Sequence, residues 1–534
     1  MTKIRSGQFS LVLLLATAST LVLPGCDDTE NQTQPDSAKK VQKKCDITSL
    51  PGLTDVTITS ATKESTPAAH CKVAGVVGTE THFELLLPDD WNGKFVMGGG
   101  AGFAGFVVNT ALSYGALNKG YATVGTDTGH SAHPIDASWA LNNLERVVSF
   151  GHQAVHRTAI TAKAIIGDYY QRDIARNYFM GCSRGGGQAL MEAQRYPEDF
   201  DGIVAGAPAY NWTDELGGRN TLVHQVMYPD PNDLSVAVIS PEEAQLIGEA
   251  IMAQCDQHDG LEDGILNNPL QCEFDVSSLS CGGASTVGCL DEQDVRAAER
   301  IYGDVNIKGE RVFPGYPVGG ELSPGGWSKW LTGGLDLQGD VENFQEGVVA
   351  DAEHPAPVTP NAHFAFGNGV MKYLVYHDPD WNYADYTFDT FETDVAAAAQ
   401  TLNATSPDLS AFRERGGKLL MYTGWADMAL NPLGTIDYYE SVVERDASAT
   451  DDVRLMMMPG VDHCFGGVGP SWVDYLDEID RWVETGDAPE QLTAYWINEQ
   501  RQPDGSRPVC AYPTHLKYKG TGDPRDPGSF SCVP

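Results

Sequence analysis

Positive charge is what this 534-residue chain has least of. Lysine and arginine number 35 against 73 aspartates and glutamates, a formal net charge of −38. Phosphate backbones and anionic lipid surfaces repel such a chain, which excludes nucleic-acid binding and docking on acidic membranes. The surplus reads as a solubility adaptation. Long apolar runs are missing beyond the first 25 residues, so no later segment is expected to span a bilayer. Internal repeats are missing too, which excludes a solenoid. What remains is an ordinary globular composition, 42% apolar, and enough length for a large domain plus a second domain or insertion.

The N-terminus reads as an export signal over residues 1–25. Lys3 and Arg5 precede an apolar run from Leu11 to Leu23 that is too short for a membrane helix. Leu23-Pro24-Gly25-Cys26 resembles a lipobox, whose cysteine would carry a lipid anchor; Pro24 departs from the small residue usual there. Residues 26–44 are polar and fit a disordered tether. The expected location is periplasmic, on the outer membrane as a lipoprotein, or extracellular. Eleven cysteines are present, and setting Cys26 aside leaves ten. An even number in an exported chain points to five disulfides. Spacing favours Cys45–Cys71, Cys255–Cys272, Cys281–Cys289 and Cys510–Cys532, leaving Cys182 and Cys464 for each other. Sequence alone leaves other connectivities open.

From about residue 46, strands and helices alternate. Short buried strands are expected at 82–88, 94–97, 121–126, 178–180 and 202–206, with helices over 146–170 and 188–195. The pattern resumes at 418–422 and 453–458. Alternation of this kind implies a mostly parallel sheet. Residues 210–410 differ: they are rich in Gly, Pro, Trp and Asn, and carry four cysteines. The expected organisation is a core domain over 45–209 and 411–534, interrupted by an inserted lid domain over 210–410.

Gly181-Cys-Ser183-Arg-Gly185 stands between an expected strand and helix, where a G-x-S-x-G turn projects serine above a sheet. An idle serine in a glycine-rich turn is the plain alternative. A nucleophile needs a base and an acid, in the chain order Ser, Asp, His on this fold. Asp427 follows strand 418–422 and His463 follows strand 453–458. His130 and Asp462 are the rivals for base and acid, and neither meets order and placement together. The oxyanion donors are expected from the backbone N–H of Arg184 and of Gly102, in the glycine-rich loop 98–105. That loop also matches G-x-G-x-x-G, with Asp127 about 20 residues on, as a dinucleotide site requires. The hydrolase reading uses the same glycines, so Asp127 and His130 are expected to be structural.

Cys255-Asp256-Gln-His-Asp259-Gly-Leu261-Glu-Asp263-Gly-Ile265 places three aspartates on one tight loop. Hard oxygens so clustered suit Ca²⁺, with carbonyls of Leu261 and Ile265 as further ligands; the spacing is not that of an EF-hand. A solvated acidic loop is the alternative.

Together these residues resemble the tannase/feruloyl esterase family, marked by Cys-Ser, Asp and His-Cys with a disulfide joining the cysteines beside nucleophile and base. Gly181–Gln188 and Glu192–Pro208 are typical of it, and the resemblance covers about 45–534. It implies an α/β-hydrolase fold with a large inserted lid domain, and an ester hydrolase with triad Ser183, His463 and Asp427. It also implies five disulfides and a structural Ca²⁺ site in the lid at Asp256, Asp259, Leu261, Asp263 and Ile265. The family cleaves esters of aromatic acids: gallate, ferulate and related cinnamates, and mono(2-hydroxyethyl) terephthalate. A small aromatic ester is therefore the expected substrate. Trp327, Trp330 and Tyr373 are candidate pocket residues, each as readily core as pocket. Thr423 stands where the terephthalate enzyme has a histidine, which counts against that activity.

Overall fold

The computed structural model describes residues 45–47, 53–282, 288–333 and 357–534. The expected export signal, the tether and Cys26 lie outside the described residues. Among the described residues, eleven strands precede the C-terminal region: β1 (Val56–Glu64), β2 (His70–Val77), β3 (Thr81–Pro88), β4 (Lys94–Gly98), β5 (Ala122–Thr126), β6 (Arg176–Cys182), β7 (Gly202–Gly206), β8 (Val305–Ile307), β9 (Glu310–Phe313), β10 (Lys418–Gly424) and β11 (Val453–Met458). All but β8 and β9 join one sheet in the order β1-β2-β3-β5-β4-β6-β7-β10-β11. Strands β1, β2, β3 and β5 pair antiparallel. From β5 to β11 every pair is parallel.

The parallel strands are short aliphatic runs because both of their faces are covered. Alternate residues go to opposite sides. Phe179, Leu419 and Met421 pack under helices Ala154–Tyr170, Arg184–Arg195 and Pro432–Arg445. Tyr178, Met180, Leu420 and Tyr422 pack under helix Tyr475–Thr485 through Leu476, Ile479 and Trp482. A mixed sheet between helices is an α/β-hydrolase-like fold.

The sheet is less parallel than the sequence implies, because β1 to β3 form an antiparallel flank. Of this flank, only β3 is among the expected strands. The expected helix over 146–170 is broken by a widened turn at Ser149–Gln153, between helices Leu144–Val148 and Ala154–Tyr170. The helix expected from Gln188 begins four residues earlier, at Arg184. Glycine's low helix propensity hides that first turn in the sequence. Its glycines are there for space: a Cβ on Gly186 or Gly187 would collide with the carbonyl oxygen of Gly206 or Ala209.

Between β7 and β10 the described residues add helices and one two-stranded hairpin, β8–β9, but no strand of the main sheet. Helix Pro241–Cys255 starts with a capping box, Ser240 and Glu243 each accepting from the other's backbone N–H. The helices close a second core around Trp212, Val223, Ile247 and Trp327. Phe103, Met428 and Leu430 belong to the same core, so the insertion packs on the loops that follow β4 and β10. Five disulfides are formed: Cys45–Cys71, Cys182–Cys464, Cys255–Cys272, Cys281–Cys289 and Cys510–Cys532.

Candidate active site

Strand β6 runs into Ser183 and helix Arg184–Arg195 starts immediately after it. The turn between them is sharp, with Ser183 at φ 61° and ψ −122°. Such a conformation costs a side-chain-bearing residue about 1–3 kcal/mol and persists only where its surroundings fix it. Three backbone bonds do so here. Ser183 N–H donates to Gly206 O at 3.0 Å, and Ser183 O accepts from Gly187 N–H at 3.0 Å and Ala209 N–H at 2.9 Å. Gly181 must lack a side chain, since a Cβ there would lie 2.6 Å from Gly185 backbone, and a Cβ on Gly185 would be tight at 3.1 Å from Gly100 O.

The loop after β4 lies against this turn. Gly185 N–H donates to Gly100 O at 3.0 Å, and Gly100 N–H donates to Gln188 Oε1 at 2.9 Å. The N–H groups of Gly99, Phe103, Ala104 and Gly105 also have acceptors. Ala101 and Gly102 are left, with no acceptor among the described residues. Gly102, the expected donor, sits at φ 52° with Pro134 O where a Cβ would be. Ala101 is a second donor of equal standing, which the glycine pattern did not single out. Arg184 holds its expected place as the first residue of the helix, with its side chain turned away into the core. Its guanidinium lies 4.1 Å from the Phe150 ring centroid, and burial pulls its pKa down to about 9.

Asp427 follows β10 and is fully buried. Its Oδ1 accepts from Ala429 N–H at 2.9 Å and Leu430 N–H at 3.0 Å. Its Oδ2 lies 2.9 Å from His463 Nδ1. With Nδ1 donating to Asp427, Nε2 is left as the basic nitrogen. His463 sits on the loop after β11, and the next residue, Cys464, is bridged to Cys182 with Cα atoms 5.8 Å apart. Nucleophile and base candidates are thus each the immediate neighbour of a bridged cysteine.

The rivals are engaged elsewhere. His130 Nε2 lies 2.8 Å from Phe103 O, its ring stacks on Trp139 at 3.7 Å, and burial depresses its pKa to about 3. Asp127 Oδ2 lies 2.8 Å from His82 Nδ1, and Oδ1 accepts from Gly129 N–H at 2.8 Å. Both Asp462 oxygens are engaged by the insertion. Its Oδ1 accepts from Ser323 Oγ–H and its Oδ2 from Gly325 N–H at 3.2 Å.

Of the expected pocket residues, Trp330 packs edge-on to the His463 ring at 5.6 Å. Phe366 continues this wall, 6.3 Å from Trp330 and 5.1 Å from Phe103 on the glycine loop. No spacing in the sequence marks Phe366 or Phe103. Trp327 is fully buried and packs on Tyr302 at 5.8 Å, the placement of a core residue rather than a ligand contact. Tyr373 is half-buried, and burial raises its phenol pKa. Thr423 is fully buried in β10, and its Oγ1 has no partner among the described residues.

In the aspartate loop, Asp256 accepts from Gly264 N–H at 3.0 Å, Asp259 from Leu261 N–H at 3.0 Å and Asp263 from Ile265 N–H at 3.2 Å. Arg507 pairs with Asp263. Burial, with repulsion from Asp263 and Asp256, pushes Asp259 up to about 6. Oxygen donors alone are the chemistry of a hard cation, but as placed here the three carboxylates do not converge on one point. A second cluster, His156, Glu192 and Asp199, has ligand atoms within 4.8 Å of one another. It already holds a cation, because Lys163 Nζ lies 3.3 Å from Asp199 Oδ1.

Residues 65–533 match the family model described as tannase and feruloyl esterase. The chain belongs to this family. Mono(2-hydroxyethyl) terephthalate hydrolase of Piscinibacter sakaiensis is 31% identical over 520 residues, covering 87% of this chain and 85% of that one. Feruloyl esterase B of Aspergillus niger is 28% identical over 556 residues, covering 97% and 100%. The crystal structure of feruloyl esterase B from Aspergillus oryzae superposes with a TM-score of 0.77 at 25% identity, over 90% of this chain and 97% of that one. The tannase-family protein described here is a carboxylic ester hydrolase with an α/β-hydrolase-like fold, and its substrates are small esters. Its five disulfides fit export to an oxidising compartment. Among the described residues no helix is long and apolar enough to cross a membrane.

Proposed function

We propose that this esterase cleaves carboxylic esters of aromatic acids, feruloyl or other cinnamoyl esters or galloyl esters, through a Ser183–His463–Asp427 triad. One observation carries the reading. The Asp427–His463 pair is closed at 2.9 Å, and a disulfide fastens its histidine beside the strained serine turn. Ser183 Oγ attacks the ester carbonyl while His463 Nε2 takes its proton. Asp427 holds the tautomer and stabilises the imidazolium. Charge on the carbonyl oxygen is met by the N–H of Arg184 and that of Gly102 or Ala101. The imidazolium then protonates the departing alcohol, and water releases the acid from Ser183 by the same steps in reverse. Trp330 and Phe366 supply apolar, planar surface for an aromatic acyl group.

The aspartate loop supports a structural Ca²⁺ held by Asp256, Asp259 and Asp263 with the carbonyls of Leu261 and Ile265, in an insertion that acts as a lid. The ion neutralises crowded carboxylates there and takes no part in the reaction. For location, the cysteine-ended N-terminal signal favours a periplasmic or extracellular enzyme, with Cys26 as the place for a lipid anchor.

The terephthalate monoester is the second reading, favoured by the 31% identity to that hydrolase. Methyl ferulate, methyl gallate and mono(2-hydroxyethyl) terephthalate, each with wild type and Ser183→Ala, separate these readings. Cleavage of ferulate or gallate, lost in Ser183→Ala, is the expected result. A protein active only on the terephthalate ester supports the second reading. Activity surviving in Ser183→Ala rejects the triad.

A further inference from the structure

The insertion meets the His463 loop at Asp462 as well as through Trp330. Asp462, next to His463, is 5% exposed, and both of its carboxylate oxygens are taken by the insertion. Ser323 Oγ–H donates to Oδ1, and Gly325 N–H donates to Oδ2 at 3.2 Å. The fit is close, since a Cβ on Gly325 would lie 2.7 Å from Oδ2. The same turn leads directly into the one-turn helix Trp327–Trp330. There Lys329 N–H and Trp330 N–H donate to Gly326 O, each at 3.2 Å. The last residue of that helix is Trp330, whose ring stands on the His463 imidazole. A closed path therefore runs from the base candidate to its neighbour Asp462, across to the turn 323–326, along one helical turn, and back to the base through Trp330.

We propose that Asp462 is a positioning residue that locks the 323–326 turn to the His463 loop and so presets Trp330 as the wall against which an aromatic acyl group stacks. The proposal rests on the triad reading, because it assigns Trp330 to the acyl side of that site. The carboxylate suits the task. Two donors from one short turn converge on it, and it accepts both without a competing donor of its own. Asparagine in its place must turn an NH₂ towards either the hydroxyl or the Gly325 N–H. The hydroxyl can rotate to accept while the amide oxygen stays on the Gly325 N–H, so both arms persist but lose the charge assistance that makes them strong. Weakening the clamp frees Trp330 to move, which penalises acyl groups that need the wall. An acetyl group is too small to reach it and senses only His463.

The test compares 4-nitrophenyl acetate with 4-nitrophenyl ferulate, which share a leaving group. The proteins are wild type, Asp462→Asn, Ser323→Ala, Trp330→Ala and the Asp462→Asn/Trp330→Ala pair. Asp462→Asn and Ser323→Ala are expected to raise KM for the ferulate ester about fivefold or more, the worth of one hydrogen bond. They should lower kcat/KM for the acetate far less. In the Trp330→Ala background the Asp462 change should add little to the ferulate loss, because both act on one wall. Equal losses on both esters would overturn the proposal, as would wild-type KM for ferulate in both clamp variants, or full additivity with Trp330→Ala. Failure of the triad itself reads out separately, as activity retained by Ser183→Ala.

Discussion

Asp427 shows how much of a residue's role is set by its partners. Three hydrogen bonds fix its carboxylate: two from backbone N–H groups of its own loop and one from His463 Nδ1. Asp427→Asn keeps the size but offers an amide that can hold the wrong imidazole tautomer. By analogy with serine proteases, kcat should fall by about 10⁴ while the fold is kept. Steady-state kinetics alongside a melting curve checks this, and a loss below tenfold would mean that another acid serves His463. The placement of Ser183, Asp427 and His463, each just after a buried strand, was legible in the sequence, as the order of strands dictates. Ala101, Phe103, Phe366 and the Ser323–Asp462 contact were not. Their roles arise where loops distant in sequence meet, and no local period or spacing records such a meeting. Trp327 and Trp330 show the limit directly: three residues apart on one helical turn, both are buried in one core, and Trp330 has its ring against His463.

At the scale of elements, the acid loop after β10 is held from the insertion side by Glu215. Its Oε1 accepts from Asn431 N–H at 2.6 Å, while Asn431 Nδ2 donates to Pro314 O and Gly315 O at 2.8 and 2.9 Å. Burial is the main reason the Glu215 carboxyl is raised to about 8, with Asp427 nearby adding to it and the Asn431 N–H and Arg219 opposing. The folded value stands above the unfolded value of about 4.3, so folding favours the protonated form. That contribution is complete below about pH 4 and is lost as pH rises towards about 8. Glu215→Gln has no such loss, so its melting temperature should gain on wild type between about pH 5 and about pH 8. A constant difference across that range would show that Glu215 does not titrate there. The element pattern itself was read well for β4 to β7, β10 and β11, whose short, mostly buried runs lie between helices and turns. The antiparallel flank was read poorly. In β1, exposed polar residues fill most positions, and its pairing depends on β2 rather than on its own sequence.

At the scale of the molecule, the connections that matter most span the chain. Asp263 in the aspartate loop pairs with Arg507 near the C-terminus, tying the insertion to the terminal strands. If Ca²⁺ occupies that loop, a chelator should lower the melting temperature, and added calcium, but not added sodium, should restore it. An unchanged melting temperature would leave Arg507 as the loop's sufficient counter-charge. The Cys182–Cys464 bridge spans 282 residues, which in the chain-entropy model contributes about 5 kcal/mol. A Cys182→Ser/Cys464→Ser variant that still folds should lose more turnover than stability, measured as kcat against denaturation midpoint. Equal loss of both would make the bridge scaffolding alone.

The same bridge has a consequence for when the protein can act. In a reducing cytosol the thiols of Cys182 and Cys464 stay apart, and nothing covalent fastens the base beside its nucleophile. On the proposed triad, a chain with both thiols reduced should therefore turn over esters more slowly than the bridged form. If the chain is exported, as its disulfides suggest, the bond that fastens the proposed base beside the proposed nucleophile forms only where thiols are oxidised.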